Sequence, residues 1–189
     1  MCSHSSVDGF THKICKISYA PEQTFSMFKY SWVIKSLIRK GKYRGNFKAY
    51  LDIIEFFNSK SSFLQSLENY ILIPIPISQK RLQQRGYNQC EKICKYLEQY
   101  IPQSKTVKLL KRTKETKSQY SLKREERMVN MKNAFEIDKK FVTLIKDKKI
   151  VIVDDISTTG STIREACKEV YKANPKKIIC LTLSKDTVY

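Results

Sequence analysis

Two adjacent carboxylates, Asp154 and Asp155, stand between an apolar run, residues 150–153 (IVIV), and a loop of small hydroxyl residues, ISTTGST. Carboxylates accept hydrogen bonds from sugar hydroxyls and bind hard cations such as Mg2+. Ser157, Thr158, Thr159, Ser161 and Thr162 supply hydroxyls, and Gly160 lets the backbone turn tightly against a ligand. Beyond the loop, Ile163, Ala166, Cys167 and Val170 recur at three- and four-residue spacing. That spacing predicts a helix whose free N-terminal amides favour a phosphate. A diol that also carries a phosphate, a ribose 5-phosphate, satisfies every part. The plainer reading of the same residues is a strand ending in an Asp-rich turn before a capped helix.

The elements around this segment decide whether a site can form. Residues 150–153 are apolar on both faces, as in an inner strand of a parallel sheet, where ligands bind beyond the strand C-termini. Residues 70–77 (YILIPIPI) read as a second strand, with prolines at its end. The following SQKRLQQRGYNQ reads as a basic loop, and Asn88 as the cap of a helix carrying Cys90, Ile93, Cys94 and Leu97. Arg81 and Arg85 thereby fall at a strand end, where charge-assisted hydrogen bonds suit pyrophosphate. Residues 107–110, 134–137 and 177–183 are further strand candidates. The polar stretch 111–132 is long for an irregular loop, with a helix expected over 122–131. Upstream, residues 21–70 read as helical, with apolar stripes Val33, Ile34, Leu37, Ile38 and Phe47, Leu51, Ile54, interrupted by Gly41 and Gly45.

Composition narrows the class. At 189 residues the chain suffices for one α/β core with a small appendage. No apolar run approaches the ~20 residues of a bilayer span. The polar N-terminus lacks the apolar stretch of a secretory signal, so a cytoplasmic location is expected. Cys90, Cys94, Cys167 and Cys180 fall within periodic segments and are expected to pack as small apolar residues. The spacings Cys2-x-x-Ser5 and Cys15-x-x-Ser18 leave two readings, a zinc site completed by His4 and His12 or a frayed tail with two free thiols.

The formal charge is +18, and residues 105–149 hold 15 basic against 6 acidic side chains. Such an excess points to a polyanionic partner, or to a generally basic composition. Eleven of the 21 aromatics lie between residues 25 and 70, interleaved with Lys and Arg. Aromatics beside cations stack bases of single-stranded nucleic acid, although most aromatics of this kind form core. Tyr43 and Arg44, at the Gly-flanked turn, are the exposed candidates.

The segment 150–162 resembles the signature of type I phosphoribosyltransferases, which bind phosphoribosyl pyrophosphate (PRPP). That resemblance assigns the ribose hydroxyls to Asp154 and Asp155, with Mg2+ arriving through PRPP. It assigns the 5′-phosphate to Thr158, Thr159, Gly160, Ser161 and Thr162. Many base-salvage members carry an aspartate where this chain has Thr158, which points away from ordinary purine salvage. Two further motifs resemble the competence protein F (ComF) group. One is PIPxxxxRLxxRGYNQ, residues 74–89. The other is carried by Arg112, Thr113, Thr116, Gln119, Leu122, Arg127, Asn130, Ala134 and Phe135.

The ComF resemblance implies a type I phosphoribosyltransferase fold, a central, mostly parallel sheet flanked by helices. It further implies a degenerate zinc module over residues 1–20, with Cys2 and Cys15 as zinc ligands, a helical, aromatic-rich hood over 21–70, and a PRPP-binding core over 71–189. A mobile loop over 112–127 would bring Arg112 and Lys114 to pyrophosphate beside Arg81 and Arg85. In that reading Asp154, Asp155 and Arg112 form the catalytic set. Tyr43, Arg44, Arg81, Arg85, Lys114, Lys123 and Arg127 are the candidate contacts to single-stranded DNA. The implied role is natural transformation, handling imported DNA in the cytosol beside a helicase-like partner. The alternative is an active phosphoribosyltransferase using Mg–PRPP as donor.

Overall fold

A computed structural model describes residues 19–43, 46–114 and 130–185. Its centre is a five-stranded sheet in which every neighbouring pair is parallel. The strands are β1 (Gln23–Lys29), β2 (Ile71–Pro74), β3 (Lys105–Thr106), β6 (Lys149–Ser157) and β7 (Lys177–Lys185), in the spatial order β1-β7-β6-β2-β3. A small antiparallel pair, β4 (Leu110–Arg112) and β5 (Phe135–Ile137), sets Arg112 opposite Phe135. The helices are α1 (Trp32–Tyr43), α2 (Lys48–Lys60), α3 (Gln79–Arg85), α4 (Gln89–Leu97), α5 (Val142–Ile145) and α6 (Ser161–Val170). This is the α/β arrangement expected, a parallel sheet flanked by helices.

Alternation along the strands splits the core in two. On one face Ile71, Ile73, Ile150, Ile152, Ile178 and Cys180 pack under α6 with Ile163, Ala166, Cys167 and Val170. On the other, Leu72, Val151, Val153, Ile179, Leu181 and Leu183 pack under Ile38, Tyr50, Ile53, Ile54, Phe57, Ile93 and Leu97. Each such aliphatic side chain, fully buried, contributes about 1.5–3 kcal/mol. The crossover from β2 to β3 runs through α3 and α4, and that from β6 to β7 through α6, toward opposite edges of the sheet. The adjacent C-termini of β2 and β6 are therefore the topological switch point, where open α/β sheets bind ligands.

Four local features differ from the sequence expectations. Residues 21–70 are not helical throughout: Gln23–Lys29 is a strand, held by parallel pairing with β7 from Gln23↔Ile179 to Lys29↔Lys185. Met27 and the helices α1 and α2 pack into the same cluster as β6 and β7, so this region shares the core of the sheet. Residues 79–85 form a helix, not a loop. It is polar nearly all round, which hides the helical period, and it stops at Gly86 in the left-handed region (φ 75°). Helix α1 continues through Gly41, where a Cβ would lie 2.3 Å from the Tyr50 ring; the missing side chain makes room for a core aromatic. Finally, β6 extends to Ser157, so both acids lie within the strand. Pairing with β2 ends at Val153, while pairing with β7 continues to Ser157, and the acids project past the shorter neighbour. No helix among the described residues is long and apolar enough to cross a membrane.

Candidate functional site

The period of two along β6 sends the acids to opposite sides, Asp154 following Ile152 and Asp155 following Val153. Both are buried. Asp154 Oδ1 accepts the Asp155 backbone N–H at 2.9 Å and lies 3.7 Å from Cys90 Sγ. Asp155 Oδ2 pairs with the Lys42 ammonium at 2.6 Å and accepts from Gln89 Nε2 at 3.4 Å. Burial, reinforced by the charge of Asp155, pushes the Asp154 carboxyl up to about 7; Lys42 and the hydrogen bonds to Asp154 oppose the shift. Near neutrality Asp154 thus exists in both its donor and its acceptor form, either of which suits a hydroxyl.

The loop that follows leads into α6. Gly160 adopts φ 72°, a left-handed conformation that costs glycine little. Thr159 Oγ1 accepts the Ser161 backbone N–H at 3.4 Å and donates to Ser161 Oγ at 3.0 Å. The ten-residue helix starting at Ser161 directs its first amides at this loop. Ser157 Oγ is buried with no hydrogen-bond partner among the described residues. Acid pair, loop hydroxyls and helix terminus thus follow one another from the end of β6.

The RGYNQ segment turns out to build the site's wall. Asn88 caps α4 by accepting the Cys90 N–H at 3.0 Å, and its Nδ2 donates to the Ile75 carbonyl at 3.0 Å. This fixes α4 against the end of β2 and delivers Gln89 and Cys90 to the two acids. Arg85 donates to Gln89 Oε1 at 3.1 Å, one residue removed from Asp155. The Tyr87 hydroxyl donates to the Gly41 carbonyl at 2.7 Å, fastening α1 beside the pair. Arg112 reaches the same strand end, donating to the Pro76 carbonyl at 3.4 Å and to the Lys114 carbonyl at 3.3 Å. Arg81 sits on α3, half-buried.

Lys42 is the functional candidate that the sequence reading missed in this role. Nothing in its neighbourhood connects it with Asp155, and only the packing of α1 onto the sheet does so. Cys2, Cys15, Arg44, Lys123 and Arg127 lie outside the described residues, as does the side chain of Tyr43. The expected loop over 112–127 lies outside them from residue 115 onward.

The donor set bears on Mg2+. A hard cation takes about six oxygens, and among the described residues no group of three or more His, Cys, Asp or Glu is arranged to hold a metal. Two carboxylates, one of them already paired with an ammonium, fit a cation that brings most of its oxygens from a bound polyphosphate.

Residues 97–187 match the phosphoribosyl transferase domain family. The chain is 32% identical to competence protein F of Haemophilus influenzae over 111 residues, 57% of this chain and 46% of that protein. It is 33% identical to the DNA utilization protein YhgH of Escherichia coli K12 over 94 residues, 50% of this chain and 40% of that one. It is 25% identical to competence protein ComFC of Bacillus subtilis over 146 residues, 77% of this chain and 57% of that protein. The chain thus spans about half the length of the curated relatives it matches.

Proposed function

From the premise that the chain is a competence protein F family member with a phosphoribosyltransferase fold, we propose that it binds PRPP at the β2–β6 switch point and acts in the handling of imported single-stranded DNA. The observation that carries the ligand is the buried acid pair near the C-terminal end of β6, followed directly by the Thr158–Gly160 turn and the N-terminus of α6. Asp154 and Asp155 take the ribose 2′- and 3′-hydroxyls. Thr158, Thr159, Gly160, Ser161 and Thr162 take the 5′-phosphate through hydroxyls and helix amides. The pyrophosphate then lies toward Arg85 and Arg112, with Arg81 and Lys114 on the same two segments. Mg2+, bound through PRPP, would neutralise pyrophosphate charge. DNA as the second ligand is supported by the charge of +18 and by the naming of relatives for competence and DNA utilization. Cytoplasmic placement and a helicase-like partner belong to the same proposal.

The intact acid pair and phosphate loop also favour a catalytic reading. There the residues orient PRPP so that an acceptor attacks the anomeric carbon as the C–O bond to pyrophosphate breaks. Arg81, Arg85 and Arg112 stabilise the charge that develops on the leaving group. Thr158 offers no carboxylate base, and an acceptor that arrives deprotonated or as a phosphate needs none there.

Paired titrations with Mg–PRPP and with labelled single-stranded DNA test both ligands. The proposal expects saturable PRPP binding, and DNA binding whose log–log salt dependence has a slope of about −0.7 per phosphate neutralised. Absence of PRPP binding removes the ligand assignment, and salt-insensitive or absent DNA binding removes the second role. Pyrophosphate release in the presence of an acceptor panel would establish the catalytic reading.

A further inference from the structure

Lys42, largely buried, and Asp155, buried, form an ion pair, with side chains only 12% and 7% exposed. A lysine is seldom buried without a specific partner, and here the backbone that carries it is pinned from two sides. The Tyr87 hydroxyl holds the Gly41 carbonyl at 2.7 Å, and the Tyr50 ring occupies the space that a Gly41 side chain would need. α1 therefore presents its ammonium to Asp155 by construction.

The contacts divide the four carboxylate oxygens in two. Asp155 Oδ2 is taken by Lys42 and Gln89, and Asp154 Oδ1 by the Asp155 amide and Cys90. Each acid is thus held through one of its two oxygens. A vicinal diol brings two O–H groups, one for each acid. Two adjacent buried acids would ordinarily attract a divalent cation, but the ammonium already supplies positive charge there.

We propose that Lys42 is a positioning residue of this site: its ammonium holds Asp155 so that each acid offers one oxygen to a vicinal diol, and it keeps a bare divalent cation from occupying the pair. The proposal rests on the reading of the pocket as a PRPP site, and it assigns to α1 a part in ligand selection.

The test uses the full chain as wild type, Lys42→Met, Lys42→Arg, Asp155→Asn and the Lys42→Met/Asp155→Asn double variant. Mg–PRPP affinity is read by calorimetry, and Mn2+ without PRPP by electron paramagnetic resonance. Lys42→Met is expected to lose about tenfold or more in Mg–PRPP affinity and to gain Mn2+ binding that wild type lacks. Lys42→Arg is expected to restore most of the affinity. The double variant should bind Mg–PRPP no more weakly than Asp155→Asn, because Lys42 acts through Asp155. If Lys42→Met does not fold, the double variant, which removes both charges, is compared with Asp155→Asn. Wild-type PRPP affinity in Lys42→Met, or a double variant clearly weaker than Asp155→Asn, overturns the proposal alone. Failure of wild type to bind Mg–PRPP overturns the reading beneath it as well.

Discussion

Tyr87 Oη donates to the Gly41 carbonyl across 2.7 Å, joining the RGYNQ segment to the helix that carries Lys42. The ring is also covered by Lys92, whose ammonium lies 4.0 Å from its centroid. Tyr87→Phe keeps the ring and loses only the hydrogen bond. It should cost about 0.5–1.5 kcal/mol in urea unfolding, with weakened PRPP binding because α1 is less firmly held. An unchanged unfolding midpoint would mean that this bond does not hold α1.

Gly41→Ala tests the packing of α1 against α2. Alanine gains roughly 1 kcal/mol in helix propensity over glycine. Its Cβ would sit 2.3 Å from Tyr50 Cε2, and the Tyr50 side chain is fully buried. Overpacking costs about 1–3 kcal/mol, so the variant should be less stable on balance. A stabilised variant would show that the Tyr50 ring can move away freely.

Asn88→Ala removes the cap of α4 and the bond to the Ile75 carbonyl together. A lost N-cap alone costs about 0.5–2 kcal/mol, and a buried carbonyl is left unpaired besides. The loss should be the largest of these three and should carry ligand binding down with it, since α4 delivers Gln89 and Cys90. Thermal melting and a PRPP titration on the same sample check it.

Asp154 makes a prediction about pH. Its folded pKa of about 7 lies above the unfolded value near 4, so the folded protein keeps a proton that the unfolded chain releases. Stability from this group is full below about pH 4, falls as pH rises to about 7, and is level beyond. Asp154→Asn should flatten that slope and raise stability near pH 7 by a few kcal/mol, on the order of 1.4 per unit of pKa difference, while PRPP binding falls. Denaturation midpoints between pH 5 and 8 decide the matter: an unchanged slope in the variant would place the proton elsewhere.

The parts of the site that are contiguous in sequence were legible there. The apolar run, the acid pair, the hydroxyl loop and the helix after it follow one another from residue 150, and Asn88 announces its own cap. What sequence could not show are features decided by distant packing. β1 is a strand because β7 is there to pair with it. Position 41 is a glycine within α1 because the Tyr50 ring fills the space a side chain would need. Lys42 reaches Asp155 because Tyr87 and Tyr50 fix the adjoining backbone of α1. α3 escaped notice for a local reason, since a short helix that buries no residue fully has no apolar stripe to read.

The central claim is that Asp154 and Asp155 hold the ribose of PRPP. Its most direct test is a calorimetric titration of Mg–PRPP into wild type and into the Asp154→Asn/Asp155→Asn variant, with folding of both established by circular dichroism. Near-isosteric amides keep the shape of the pocket and remove the paired acceptors. The account predicts saturable binding by wild type and a loss of about a hundredfold or more in the variant, as expected when two charge-assisted hydrogen bonds are removed. Equal affinity in the two proteins would contradict it.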